Sequence, residues 1–122
     1  MKAPATIFLD IDGTLLNHLG KLSEVVKNHE TQYLLDNVIE KLDKWESQGF
    51  HIILTTGRAE SLRGITEKTL LKHGIFFDKL IMGLGGGPRY LINDKKPNGR
   101  LTAFAINVDR NKGLSNVNIG DV

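Results

Sequence analysis

The stretch Ile7-Phe8-Leu9-Asp10-Ile11-Asp12-Gly13-Thr14 decides the fold, because an apolar run ends there in two acids and a glycine. Strand alternation places Asp10 and Asp12 on the same side of the backbone, and Gly13 permits a turn that most residues cannot adopt. In an open α/β sheet, ligands bind at the carboxyl ends of the strands. The stretch therefore predicts a first strand whose end carries two carboxylates able to surround a cation.

Two further apolar runs also end in polar side chains. His51-Ile52-Ile53-Leu54-Thr55-Thr56-Gly57-Arg58 closes with hydroxyls, a glycine and a cation, and Arg89-Tyr90-Leu91-Ile92-Asn93-Asp94 closes with an acid. A helix beginning near Ala59 would direct its N-terminus at an anion held by the second run. Each run alone is also compatible with ordinary turn or capping chemistry. Three runs with polar carboxyl ends indicate one shared site.

Taken together, these residues resemble the haloacid dehalogenase (HAD) superfamily of phosphohydrolases. The D-x-D-G-T sequence matches the first motif of that family, Thr56 matches the second, and Asp94 matches the fourth. The resemblance implies that Asp10 attacks phosphorus and that Asp12 moves the leaving-group proton. It further implies that Asp10, Asp12 and Asp94 hold Mg²⁺, and that Thr56 and the turn at Gly57 bind a phosphate oxygen. A hard divalent cation suits this role, because it screens the attack of an anionic carboxylate on an anionic phosphate.

The sequence departs from the family at the third motif, which normally supplies a lysine. The corresponding stretch, Met82-Gly83-Leu84-Gly85-Gly86-Gly87-Pro88, contains no cation. We expect Lys96 to replace it, with Arg89 second, because both flank the strand that delivers Asp94; Lys95 and Lys79 are weaker candidates. Without such a cation the metal alone would stabilise the transferred phosphate. The missing lysine therefore favours one alternative, a catalytically weak HAD-like module with an assembly or regulatory role.

Length and periodicity predict the rest of the architecture. A chain of 122 residues with 40% hydrophobic content suits a single domain spanning residues 1–122. Apolar residues at helical spacing predict one helix that ends at Gly49 and another from Ala59 to His73, and Leu101–Val108 has the composition of a buried strand. We therefore expect a three-layer, Rossmann-like α/β fold with about five mainly parallel strands, helices on both faces and no cap domain.

Composition and the short gaps between the motifs also predict the cellular compartment and the binding partners of the protein. The chain has no cysteine, which excludes a disulfide framework, and no apolar stretch long enough for a bilayer, so we expect a cytoplasmic protein without a membrane partner. Its +2 charge is scattered, which gives nucleic-acid binding little support. The resemblance implies a small phosphorylated substrate, with sugar phosphates first and nucleotides or nucleic-acid ends as the alternative. Because no cap fits, a large substrate or a second subunit of a homo-oligomer would have to close the site.

Overall fold

A computed structural model describes residues 4–119. In chain order its regular elements are β1 (Thr6–Asp10), α1 (Leu22–Asn28), α2 (Val38–Ser47), β2 (His51–Thr55), α3 (Arg63–Lys72) and β3 (Lys79–Ile81). Two single 3₁₀ turns, His29–Thr31 and Glu60–Leu62, precede α2 and α3 respectively. None of the helices within residues 4–119 is both long enough and apolar enough to cross a bilayer.

The three strands form one parallel sheet in the order β1-β2-β3. Asp10 at the end of β1 lies opposite Thr55, which in turn lies opposite Ile81 at the end of β3. All three carboxyl ends therefore share one edge of the sheet, as the sequence predicted for its first two polar strand ends.

The hydrophobic core lies between one face of the sheet and the helices α2 and α3. Helix α2 buries Val38, Leu42 and Trp45, which recur at helical spacing, and α3 contributes Leu70. The strands supply alternate side chains to the same cluster, including Ile7, Leu9, Ile52, Leu54 and Leu80. The helix predicted to end at Gly49 is thus confirmed as α2, while the one predicted over Ala59–His73 divides into a 3₁₀ turn and α3.

The opposite face of the sheet is open. Phe8 is 54% exposed and Ile81 is 40% exposed. They belong to a shallow groove of about 440 Å³ lined by Thr6, Phe8, His51, Ile53, Asp78, Lys79 and Ile81. In residues 4–119 the sheet thus has three strands rather than five, and α2 and α3 cover a single face, so the expectation of five strands with both faces covered is wrong.

The two missing strands are the runs predicted at Arg89–Asp94 and Leu101–Val108, neither of which joins the sheet. We call residues 90–108 the arm. This extended segment contains both runs after Arg89 and the turn between them. The physical reason is the length of the preceding connection. A parallel neighbour in the same sheet requires a crossover of about a dozen or more residues, usually containing a helix. Only residues 82–89 separate β3 from the arm, and they contain no helix.

Candidate active site

The turn after β1 holds the first pair of acids. Gly13 has a positive φ of +89°, and its amide donates to the Leu16 carbonyl at 2.7 Å. The amides of Thr14, Leu15 and Leu16 all lie within 3.2 Å of the Ile11 carbonyl. A side chain larger than hydrogen at Gly13 would be strained by this φ, so the glycine of the D-x-D-G-T motif is required by backbone geometry.

Asp10 is the carboxylate at the end of β1 that remains open to a ligand. Thr14 Oγ1 donates to its Oδ2 at 3.4 Å. The side chain touches solvent, but surrounding protein atoms remove enough water for burial to raise the pKa of Asp10, and the negative charge of Asp12 raises it further. The Ile11 amide and the nearby Arg89 guanidinium oppose this shift. A cation bound beside Asp10 would therefore relieve an unfavourable negative charge.

Asp12 is held by a buried arginine. Arg58 Nε donates to Asp12 Oδ2 at 2.9 Å, and Arg58 Nη2 donates to Oδ1 at 2.7 Å. This bidentate pair matches the two planar groups and fixes the Asp12 carboxylate in one orientation. Gln32 Nε2 donates to the same Oδ1 at 2.9 Å.

Arg58 is itself fixed from two other sides. Its Nη1 donates to Thr66 Oγ1 on α3 at 3.0 Å, and its Nη2 donates to Gln32 Oε1 at 3.0 Å. Only 3% of Arg58 is exposed, so its charge is matched mainly by Asp12. The sequence analysis missed Arg58 and Gln32 as site residues. The sequence did indicate Arg58, because this cation directly follows Thr56-Gly57 at the end of β2, the strand that pairs with β1. Gln32, in contrast, belongs to no recognisable sequence pattern.

The turn after β2 brings Thr56 and Gly57 to the same edge. Thr56 is almost fully buried, and its hydroxyl accepts a hydrogen bond from the Arg58 amide at 3.1 Å. Accepting that bond orders the turn and leaves the hydroxyl hydrogen for another acceptor. Gly57 has no room for a side chain, because a Cβ there would lie 2.5 Å from the Gly85 carbonyl oxygen. The third-motif loop thus packs directly on the second motif.

Arg89 follows that loop, and its side chain binds the backbone of the loop. Its Nη1 donates to the Gly87 carbonyl at 2.6 Å and its Nη2 to the Gly85 carbonyl at 3.0 Å. Its charge also acts on the Asp10 carboxyl. Lys96, in contrast, lies in the arm, where its amide donates to the Arg100 carbonyl at 2.9 Å. Within residues 4–119 of one chain, Arg89 is thus the cation whose charge lowers the pKa of Asp10, whereas Lys96 belongs to the turn of the arm.

Asp94 is exposed and also lies in the arm, where its carbonyl accepts a hydrogen bond from the Thr102 hydroxyl. No cluster of three acidic or histidine side chains suitable for a metal ion forms within residues 4–119 of a single chain. The Asp10 carboxylate is an oxygen ligand of the kind that a hard cation prefers. The Asp12 carbonyl is also available, because no backbone amide within residues 4–119 donates to it. The Asp12 carboxylate is already engaged by Arg58. Within residues 4–119 of one chain, the Asp10 carboxylate and the Asp12 carbonyl are thus the groups of this turn that are open to a cation.

Comparisons with known proteins identify the family of the chain. The sequence pattern of haloacid dehalogenase-like hydrolases matches residues 7–72, which is 66 of the 122 residues. That span contains the first two motifs. A search of curated protein sequences gives no significant match.

Three solved structures are similar in fold. A chain of the Pnkp1/Rnl/Hen1 complex is 30% identical with a TM-score of 0.58, over 71% of this chain and 30% of that one. A chain of the Pnkp1/Rnl/Hen1 RNA repair complex is 29% identical with a TM-score of 0.51, over 64% of this chain and 25% of that one. A structural-genomics target from Vibrio cholerae is 22% identical with a TM-score of 0.51, over 73% and 79% of the two chains.

The chain therefore spans less than a third of the length of the two Pnkp1/Rnl/Hen1 chains. The likeness to the Vibrio cholerae protein concerns the fold alone. The family pattern itself covers more than half of this chain and includes Asp10, Asp12 and Thr56. The protein belongs to the haloacid dehalogenase-like hydrolase family.

Proposed function

We propose that the protein is a Mg²⁺-dependent phosphomonoesterase that works through an aspartyl phosphate on Asp10. The observation that carries the proposal is the placement of Asp10 and Asp12 at the carboxyl end of β1, beside the Thr56-Gly57-Arg58 turn that follows β2. Membership in the hydrolase family supports the reaction class.

In the first half of the reaction, an Asp10 carboxylate oxygen attacks phosphorus and the bond between phosphorus and the ester oxygen breaks. Protonated Asp12 gives its proton to the departing oxygen; because both Asp12 oxygens accept hydrogen bonds from Arg58 in the free protein, the carboxylate must take up this proton together with the substrate. Arg58 holds the Asp12 carboxylate in its orientation through two hydrogen bonds, so it acts as a positioning residue. A fixed proton donor is effective because the geometry of transfer is prepared before the reaction.

In the second half, Asp12 accepts a proton from water, and the resulting hydroxide attacks the phosphorus of the acyl phosphate. The bond between phosphorus and the Asp10 oxygen breaks, which releases inorganic phosphate and restores both acids. Splitting one displacement into two steps in this way is ordinary covalent catalysis.

Asp10 and the Asp12 backbone carbonyl are the groups in this chain that would hold Mg²⁺. When bound, the ion supplies positive charge that lowers the repulsion between the carboxylate and the phosphate. Arg89 is the residue proposed to supply further positive charge, and its lowering of the Asp10 pKa supports this assignment. On this proposal Arg89 takes the part that the third-motif lysine has in the family, which argues against the alternative of a catalytically weak module.

A small phosphorylated metabolite such as a sugar phosphate is the first substrate class, by analogy with the family. A second class is favoured by a specific observation. Two of the similar structures are chains of the Pnkp1/Rnl/Hen1 complex, one of them described as an RNA repair complex, at 30% and 29% identity. A phosphate at the end of an RNA strand is therefore the second candidate substrate for this chain.

Phosphate release by the purified protein tests the proposal. The substrates are an aryl phosphate, a panel of sugar phosphates, nucleotides, and short RNAs ending in a 3′ or a 5′ phosphate, each with Mg²⁺ and with a chelator. Asp10→Asn is the inactivating variant. Asp43→Asn is the matched control, because Asp43 is an exposed acid on α2, outside the turns that follow β1 and β2.

We expect Mg²⁺-dependent release that is lost in Asp10→Asn and retained in Asp43→Asn. The class of substrate with the highest kcat/KM distinguishes the metabolite from the RNA end. Release that survives chelation, or that Asp10→Asn retains at a near-normal rate, would refute the proposal.

A further inference from the structure

The arm, residues 90–108, leaves the body of the protein as an extended hairpin. Its turn is formed where the Lys96 amide donates to the Arg100 carbonyl at 2.9 Å and the Gly99 amide donates to Lys96 at 2.8 Å. Asn93 Nδ2 also donates to Thr102 Oγ1 at 3.1 Å. In the described part of the chain, the remaining amides of the arm have no backbone partner. Most of its large apolar side chains are exposed: Tyr90, Leu91, Ile92, Leu101, Phe104 and Ile106.

Both ends of the arm are anchored beside the acids. Arg89 donates to the Gly85 and Gly87 carbonyls before the arm begins. After it ends, the Asn111 amide donates to the Gly13 carbonyl at 2.9 Å, and Asn111 Oδ1 accepts from the His18 amide at 2.8 Å. The exposed segment is thus held at its base, and Ile92 is 92% exposed although it is apolar. An exposed apolar hairpin with unpaired backbone groups is suited to pairing with another sheet.

A matching unpaired edge exists on β1. The strand pairs with β2 on one side, and within residues 4–119 no strand pairs with its other side. Phe8 projects beside this edge onto the open face of the sheet. The arm cannot become a parallel neighbour of β1 in its own chain, because the connection over residues 82–89 is too short for a crossover past three strands.

We propose that the arm of one copy of this chain pairs in parallel with β1 of a second copy and supplies Asp94 to the active site of that copy. The register that sets the partner's Asp94 beside Asp10 also sets the partner's Ile92 beside Phe8 and the partner's Tyr90 beside Thr6. Apolar side chains of the arm then lie beside Phe8 on the same face of the sheet. The metal role of Asp94 rests on the function proposed above, whereas the pairing itself does not.

This arrangement is compatible with a twofold axis that relates the two chains. Arg89 donates to the Gly85 carbonyl, which packs on the Gly57 turn, and so fixes the start of each arm at the carboxyl edge of its own sheet; the arm then runs toward Asp10 of the other chain. Because β1 of that other chain also runs toward its own Asp10, the arm and this β1 are parallel. Each chain gives its arm to the other in the same way, so the interface is isologous. Five residues of extended chain place the two sites about 17 Å apart. Each site then combines its own Arg89 with the partner's Asp94, two groups of opposite charge, and the partner's Lys96 follows close behind.

The first test needs no activity. Analytical ultracentrifugation of the wild-type chain at micromolar concentration should show a dimer, and Ile92→Glu should convert it to a folded monomer. Leu71→Glu is the matched control, because Leu71 is 80% exposed on α3 and lies outside the proposed interface. A monomeric wild-type chain, or a dimer that Ile92→Glu leaves intact, would overturn the proposal.

Cross-linking tests the register, since the natural sequence contains no cysteine. A Phe8→Cys chain and an Ile92→Cys chain carrying a mass tag are mixed and oxidised. Neighbouring strands lie about 4.8 Å apart, which a disulfide can span. We expect the tagged heterodimer from this pair and little from Ile81→Cys mixed with Ile92→Cys. Equal or preferred linkage to Ile81→Cys would place the arm on β3 and refute the pairing with β1.

Complementation tests whether Asp94 acts in the partner's site. Asp10→Asn and Asp94→Asn should each be inactive, but a mixed dimer of the two contains one complete site. After subunit exchange in a 1:1 mixture, half of the dimers are mixed, so about a quarter of the wild-type rate should return. An inactive mixture would refute the supply of Asp94 by the partner. An inactive wild-type chain would instead count against the proposed function, and the dimer and cross-link results would still decide the pairing.

Discussion

Replacing Arg58 with methionine tests the main contact that holds the site together. Methionine has a similar length but no charge and no donor. The change removes both hydrogen bonds to Asp12, together with those to Gln32 and Thr66. The Asp12 carboxylate would then have one remaining side-chain donor, from Gln32.

The size of the loss follows from burial. The Arg58 side chain is 2% exposed and that of Asp12 is 19% exposed. Breaking a buried ion pair by removing one partner costs about 3–5 kcal/mol, and the partial access of Asp12 to water favours the lower end, about 3 kcal/mol. That is a large share of a typical unfolding free energy of about 5–15 kcal/mol. With a urea m-value of about 1.5 kcal/mol/M, the unfolding midpoint should fall by about 2 M.

The assay is urea unfolding followed by circular dichroism, for wild type, Arg58→Met, Asp12→Asn and the double variant. In the Asp12→Asn background no carboxylate is left unpaired, so Arg58→Met should cost about 1–2 kcal/mol less than in wild type. Arg63→Met is the control. Arg63 also has two acidic partners, Glu60 and Glu67, but its pairs are at the surface, where they contribute little.

Two results would refute the reasoning. One is an equal loss of stability in Arg58→Met and Arg63→Met. The other is strict additivity in the cycle of Arg58 and Asp12 variants, which would mean that the ion pair between them contributes no coupling.

Three further predictions follow from the same geometry. Gly57→Ala should lower kcat by about tenfold or more while the circular dichroism spectrum is unchanged, because its Cβ would displace the Gly85 carbonyl and the loop ending at Arg89; full activity would show that the loop position is unimportant. Arg89→Met should lower kcat by about 10²–10³, whereas Lys79→Met should leave it near wild type, and equal effects would remove Arg89 from the site. Burial raises the pKa of Asp10 above its ordinary value of 3.8. Protonated Asp10 therefore contributes fully to the free energy of unfolding below pH 3.8, and this contribution is lost as the pH rises through the raised pKa. Asp10→Asn should therefore be more stable relative to wild type at pH 7 than at pH 3 in urea unfolding, and a difference that is the same at both would contradict the shift.

The parts of the fold that sequence predicted well are those fixed by local chemistry. Alternation on β1 places Asp10 on the open face and Leu9 in the core, and Gly13 adopts the turn that its position requires. Helical spacing identified the buried stripe of α2 that ends in Trp45. Both signals depend on near neighbours in the chain, so they do not need knowledge of the distant contacts.

The errors arose where a distant contact or a connection length decides the outcome. Leu101–Val108 has a composition typical of a buried strand, but composition cannot show which strand it pairs with. The length of the connection before Tyr90, in contrast, limits which strands of its own chain the segment can join. Arg58 was seen in the sequence as a cation after Gly57, yet its partner Asp12 lies 46 residues earlier and becomes its neighbour only through the pairing of β1 with β2.

The proposed mechanism requires that Asp10 becomes phosphorylated during turnover. The most direct measurement is to quench a reaction with a good substrate, reduce the protein with borohydride, and locate the product by peptide mass spectrometry. Borohydride converts an acyl phosphate of aspartate to homoserine. We predict homoserine at position 10 in the wild-type chain, only when substrate and Mg²⁺ are present, and none in Asp10→Asn. Phosphate release without this conversion, or conversion at a different aspartate, would contradict the account.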